Sequence, residues 1–200
     1  MPDYSIKQQD ILKAAIAQFA QFGLSATTME AISSEAKVSK RTLYKHFPTK
    51  DALFDTVVSQ LIERITPLTA IQFIPNYQFE SQLKHLAISA LALLNDEDYL
   101  TLSRIVMIES MRSKERAESL KGRFLNCEKS MLQWFQDAAD TQCLGEFSPE
   151  FAAGFFWGGL KKLSYWEQTI SWKAPLSEAA LDELVDQACR IFCYGVTPTQ

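Results

Sequence analysis

From Ser39 to Lys50 the chain reads SKRTLYKHFPTK, and the groups able to do chemistry in it are hydroxyls and cations at helical spacing. Lys37, Lys40, Arg41, Lys45 and Lys50 supply the charges between residues 37 and 50, and no Asp or Glu interrupts them. Cations and hydroxyls grip phosphate oxygens, and Arg or Lys near a helix N-terminus can also read guanine edges. With Leu43 and Phe47 turned inward at a spacing of four, Ser39, Lys40, Arg41, Thr42, Tyr44, Lys45 and His46 are left for the outside and the N-terminal end. Such a charge run can also be no more than a solvated helix face, so its setting in the chain decides what it is.

That setting is two short helices joined by a tight turn. Thr27 followed by Glu30 predicts a capping box and a helix start, with Ala31, Ile32 and Ala36 as its narrow apolar side. Val38 is placed to plug the turn, and Ser39 offers the N-cap of the next helix. A link this short between helices this short is a helix-turn-helix. Upstream, Ile11, Leu12, Ala15, Ile16, Phe19 and Phe22 predict the buried side of a first helix that Gly23 stops. Downstream, Thr49 and Asp51 open a fourth helix, DALFDTVVSQLIERI, expected to end before Pro67.

From Ile6 to Val58 these residues resemble the DNA-binding domain of the tetracycline-repressor (TetR) family of bacterial regulators. The resemblance rests on ILKAAIAQFAQFGLSATT, the helix and turn after it, and SKRTLYKHFPTKDALF. It implies that Thr28, Tyr44 and Lys50 hold phosphates, and that Lys40, Arg41, Thr42, Lys45 and His46 lie nearest the bases. Where the family usually has glycine in the turn this chain has Lys37. A left-handed backbone there costs about 1 kcal/mol or more, and the lysine can add a phosphate contact.

Two hundred residues, 47% of them hydrophobic, provide ample core and exclude a disordered or fibrous chain. The net charge of −4 is unevenly spread. Residues 1–50 carry seven Lys or Arg against four Asp or Glu, leaving +3, and the remainder carries thirteen against twenty, leaving −7. A basic end can face DNA while an acidic body points away. No run approaches a membrane span, and MPDYSIKQQD lacks the apolar core of a signal peptide, so a cytoplasmic protein without membrane attachment is expected.

Helical periodicity continues to the end, so the expected fold is all-α: a three-helix reader over 1–48, a connecting helix over 49–68 and a helical ligand-binding and dimerisation bundle over 69–200. A loop over 66–78 is followed by helices expected near 79–94, 97–112, 115–141, 149–171 and 178–194. In a regulator of this kind the aromatic and methionine content of the body lines a cavity for an apolar or aromatic effector, with Met107, Met111, Met131, Trp134, Phe135, Phe155, Trp157 and Trp166 as candidates. The other reading is ordinary core. Small Gly154, Gly158 and Gly159 and the apolar side through Leu181, Leu184, Val185, Ala188, Ile191 and Phe192 predict that the last helices, 149–171 and 178–194, pair across a two-fold axis in a homodimer. Alternatively they close the core of a monomer.

The function expected is a transcriptional repressor that binds a palindromic double-stranded DNA operator and is released by a small molecule. Catalysis, metal and cofactor are not expected. His46 and His85 are the two histidines, and Glu109, Glu115, Glu118 and Glu128 are spaced as a solvated helix face without an ExxH partner. Cys189 and Cys193, four apart, share a helix face and could sense oxidants or bind a metal, against the commoner role of free cysteine in packing.

Overall fold

The computed structural model describes residues 4–196, so the expected outer bounds of the first and last domains, 1 and 200, lie outside it. Among the described residues every regular element is helical: α1 Ile6–Ala26, α2 Met29–Glu35, α3 Lys40–His46, α4 Lys50–Thr69, α5 Phe79–Leu94, α6 Glu97–Ser110, α7 Lys114–Asp140, α8 Pro149–Leu163, α9 Tyr165–Thr169 and α10 Glu178–Val196. They form two compact units. One runs to Arg64 and takes in Thr101–Gly122; the other comprises Ile65–Leu100 and the chain from Arg123 onward.

In the first unit α1 packs on α2 and α2 on α3. Ile11, Leu12, Phe19, Ile32, Leu43, Phe47, Leu53, Phe54 and Val57 are buried. Ser5 caps α1 through a reciprocal bond with Gln8. Three local expectations are corrected. Gly23, at φ 77, kinks α1 instead of ending it, and the chain resumes helical geometry to Ala26. Phe22 beside that kink points outward and is 53% exposed. Thr28, not Thr27, caps α2, accepting from the Ala31 amide at 3.1 Å. The Thr27 hydroxyl is already committed, donating to the carbonyls of Gly23 at 2.8 Å and Gln18 at 3.1 Å.

The turn between α2 and α3 is left-handed at Lys37, with φ 54. A side chain there clashes with the backbone in a way glycine does not. Lys37→Gly should therefore stabilise the protein by about 1 kcal/mol, read as a higher melting temperature. An unchanged or lower value would mean that the lysine side chain offsets its own strain.

α4 continues through Pro67 to Thr69 instead of stopping before it. A proline in the last turn removes one amide donor, and little helix remains beyond it to disrupt. In the second unit α10 packs along α5 and against α8 over a core that includes Leu83, Leu91, Trp134, Phe135, Phe156, Leu160 and Phe192. Buried Gln82 holds the loop before α5, accepting from the Ile74 amide at 2.7 Å and donating to the Ile74 carbonyl at 3.1 Å. Asn95 pins the segment before α10 by accepting from the Leu176 amide at 2.8 Å and donating to its carbonyl at 2.9 Å. The helix expected over 149–171 breaks at Ser164, whose hydroxyl donates to the Leu160 carbonyl at 2.7 Å while its own backbone sits at φ −128, ψ −79.

Candidate nucleic-acid interface and effector region

α3 is held by its cap and by two buried side chains. Ser39 Oγ accepts from the Thr42 amide at 3.1 Å and lies 2.9 Å from the Thr42 hydroxyl. Leu43 and Phe47 bury one face completely, which fixes what the opposite face presents. Lys37, Ser39, Lys40, Arg41, Tyr44 and Lys45 are exposed, with Thr42 and His46 half-buried and Thr28 exposed at the start of α2. Eight of the ten residues expected to meet DNA are thus on or beside one short helix and its turn, and Thr28 stands at the cap of α2.

Their charges are not equivalent. Lys40 Nζ is 3.0 Å from Glu30 on α2, and the hydrogen bond it donates holds the Glu30 carboxyl below the usual range. Arg41 and Lys45 form no ion pair among the described residues, so their full donor sets remain free. Arg41, in the first turn of α3, is the better placed for bidentate contact.

Lys50, the tenth residue, has a second occupation that its spacing does not reveal. Its ammonium donates to the Thr27 carbonyl at 2.7 Å and the Ser25 carbonyl at 3.1 Å, closing the end of α1 onto the start of α4. Two of its three donors are used and one is left for a phosphate. Lys50→Met should lower the melting temperature, weaken binding to all DNA sequences and reduce the salt slope by about one. A variant that melts lower yet keeps the wild-type salt slope would confine Lys50 to the fold.

Beside it, Arg116 of α7 donates to Asp51 at 3.0 Å and lies over the Phe54 ring at 5.6 Å. Glu109, expected on a solvated face, is instead 3% exposed and accepts from Arg112 at 3.1 Å. The C-terminal end of α6 thus brings a buried carboxylate close to the reader, a placement the sequence did not reveal.

The candidate effector residues divide. Met107 and Met111 belong to the first unit, and Met111 is 75% exposed at the end of α6. Met131, Trp134, Phe135, Trp157 and Trp166 belong to the second. Trp134 lies against Phe135 at 5.1 Å and Phe73 at 5.3 Å, and Phe135 reaches Phe156 at 6.2 Å. Trp166 packs on Tyr165 at 4.9 Å. Phe155, expected in the lining, stands outside.

There Phe147, Phe151 and Phe155 stack in a ladder with centroids 5.5 and 6.0 Å apart. With Ala152, Ile191, Phe192 and Gly195 they line a groove of about 280 Å³ between α8 and α10. Gly154, Gly158 and Gly159 open onto free space on the same helix. Together they leave a contiguous apolar face exposed on the outside of this unit.

Burial pushes the Cys189 thiol up to about 12 and Cys193 up to about 11, which leaves almost no thiolate at neutral pH. Among the described residues no group of His, Cys, Asp and Glu is placed to hold a metal, and no helix is long and apolar enough to cross a membrane.

A basic helix presented by a rigid helix-turn-helix, on an all-helical chain, defines a DNA-reading regulator. The comparisons agree: residues 11–57 match the family described as bacterial regulatory proteins, tetR family, and residues 81–195 match the AefR-like transcriptional repressor C-terminal domain. The chain belongs to the TetR family of transcriptional regulators, a family of DNA-binding proteins and not of enzymes. It is 32% identical over 147 residues to the HTH-type transcriptional regulator UidR of Escherichia coli strain K12, covering 70% of this chain and 68% of that one. It is 26% identical to RutR of the same strain, covering 97% and 92%. The crystal structure of a TetR family regulator from Pseudomonas syringae pv. tomato superposes with a TM-score of 0.80 at 30% identity, covering 94% of this chain and 95% of that one.

Proposed function

We propose that this regulator is a cytoplasmic homodimeric repressor that binds a palindromic operator and is released by a small apolar or aromatic molecule. The observation that carries the reading is the exposed face of α3, where Arg41 and Lys45 stand free of ion pairs and no carboxylate interrupts the basic run. Arg41, Lys45, Thr42, His46 and Lys40 read bases, Lys40 exchanging Glu30 for DNA. Thr28, Lys37, Ser39, Tyr44 and Lys50 hold phosphates. A single α3 spans only a few base pairs, so two copies placing their helices in successive major grooves are needed for a specific site. The phenylalanine ladder and the groove between α8 and α10 support that pairing, because they leave contiguous apolar surface exposed where an isologous interface would bury it.

Residues 1–48 act as reader, 49–68 as connector and 69–200 as effector-binding and dimerising body. α4 crosses from one role to the next, so a shift of its second half changes the distance between the two α3 helices. The effector must bind the displaced arrangement more tightly than the DNA-bound one, or it shifts nothing. Sedimentation of the protein with its own upstream DNA tests the reading, the expected result being two copies, or a multiple of two, on each duplex. One copy per duplex would sink it. Redox control through Cys189 and Cys193 is disfavoured by their protonated state, and a Cys189→Ser, Cys193→Ser protein should respond to effector as the parent does.

A further inference from the structure

Lys50 lines a cleft of about 380 Å³ together with Ser25 near the end of α1 and with Arg112, Ser113 and Arg116 around the turn between α6 and α7. All of them belong to the first compact unit. Two carboxylates complete the wall, and each has its own arginine. Buried Glu109 accepts from Arg112 at 3.1 Å, and Asp51 accepts from Arg116 at 3.0 Å. Three cations against two carboxylates leave the cleft one net positive charge, that of Lys50.

The donors of these cations are only partly used. Among the described residues Lys50 donates to the Ser25 and Thr27 carbonyls, Arg112 donates from Nη1 to Glu109, and Arg116 donates from Nη2 to Asp51. An ammonium has three N–H donors and a guanidinium five, so all three cations keep some for an acceptor in the cleft. Ser113 Oγ accepts from the Arg116 amide at 3.1 Å, and its own proton stays available. Both guanidiniums are also held in place, Arg112 by its buried carboxylate and Arg116 by Asp51 and the Phe54 ring at 5.6 Å. Donors fixed in advance lose little freedom when an anion arrives. The cleft adjoins the residues proposed to hold phosphates: Lys50 is one of them, and Ser25 lies three residues before Thr28. One net positive charge suits the single negative charge of a phosphodiester. A phosphate monoester or free phosphate carries about 1.5 to 2 charges near pH 7 and would leave negative charge in excess beside Asp51 and Glu109.

We propose that this cleft seats one phosphate of the DNA backbone, so that Arg112, Ser113 and Arg116 of the α6–α7 turn contact DNA directly, beside Lys50. The contact rests on the DNA-binding reading of the chain and extends its footprint. It puts DNA against a segment outside residues 11–57, the part that matches the family's DNA-binding domain.

The test compares the full-length protein with a double variant, Arg116→Gln with Asp51→Asn, which removes the guanidinium together with the carboxylate it neutralises and so keeps the net charge. Titrated onto a random duplex at several salt concentrations, the variant should bind about tenfold more weakly and with a salt slope smaller by about one. Arg116→Lys should keep the parent slope. Ser113→Asp preserves the cap of α7 and sets a carboxylate in the cleft, so it should melt like the parent yet bind every duplex about tenfold more weakly. Thermal melts show which variants fold, and Ser113→Asp carries the test if the double variant does not. On the upstream duplex, ethylation of one backbone phosphate should block the parent and leave the double variant indifferent, a difference that lost packing alone does not produce. The proposal fails if both variants bind random DNA with the parent's affinity and slope, or if parent and double variant share one ethylation pattern. A shared pattern, with a melting temperature that inorganic phosphate at constant ionic strength raises in the parent alone, would give the cleft to a free anion. The random-duplex results do not depend on α3 reading sequence, so failure of the cleft is distinct from failure of the regulator reading, which would show as no preference for the upstream duplex.

Discussion

Phe155→Asp should yield a folded monomer with operator affinity reduced at least about 100-fold. Phe155 is 61% exposed, so its removal takes little from the fold, and the melting temperature should hardly change. In the proposed two-fold seam the same carboxylate would enter twice, beside the Phe147 and Phe151 rings of the ladder, where an unpaired charge is strongly disfavoured. Loss of the proposed dimer would uncouple its two α3 helices and remove half of the phosphate and base contacts from each binding event. Sedimentation equilibrium and DNA titration read the two effects separately. A Phe155→Asp protein that remains dimeric would move the seam away from α8 and α10.

Arg41→Ala should lower operator affinity by about five- to 150-fold, the range of one bidentate base contact, while changing binding to random duplex by only the share of one phosphate-range charge. Arg41 is exposed in the first turn of α3 and has no ion pair to break among the described residues. Thr28→Ala should differ in kind, weakening operator and random DNA by the same factor and costing some stability through the lost cap of α2. Equal losses on both duplexes for Arg41→Ala would return Arg41 to the phosphate backbone.

Much of this was legible in the sequence because helical periodicity and cap chemistry are local. The pair Leu43 and Phe47, the Ser39 cap and the Ser148–Pro149 start of α8 each follow from residues within four positions of one another. What local reading missed was set by distant partners. Two adjacent threonines could each have capped α2; the kink at Gly23 brings carbonyls to Thr27, and Thr28 takes the cap. Lys50 looked like a free cation, but carbonyls twenty-three and twenty-five residues away bind its ammonium. Glu109 looked solvated because α7 continues its charge pattern, while the packing of the α6 end buries it. Phe155 and Trp157, two residues apart, were grouped together; on a helix such positions face different sides, one to the outer ladder and one to the core.

Fluorescence anisotropy of the full-length protein decides whether α3 reads a specific DNA sequence. It is titrated onto its own upstream DNA and onto a scrambled duplex of equal length, at about 150 mM salt, where binding through phosphates alone is already weak. A preference of about 1,000-fold or more for the upstream duplex is expected, largely lost in Arg41→Ala. Equal binding to both duplexes, followed by failure to enrich any sequence from random DNA, would contradict it.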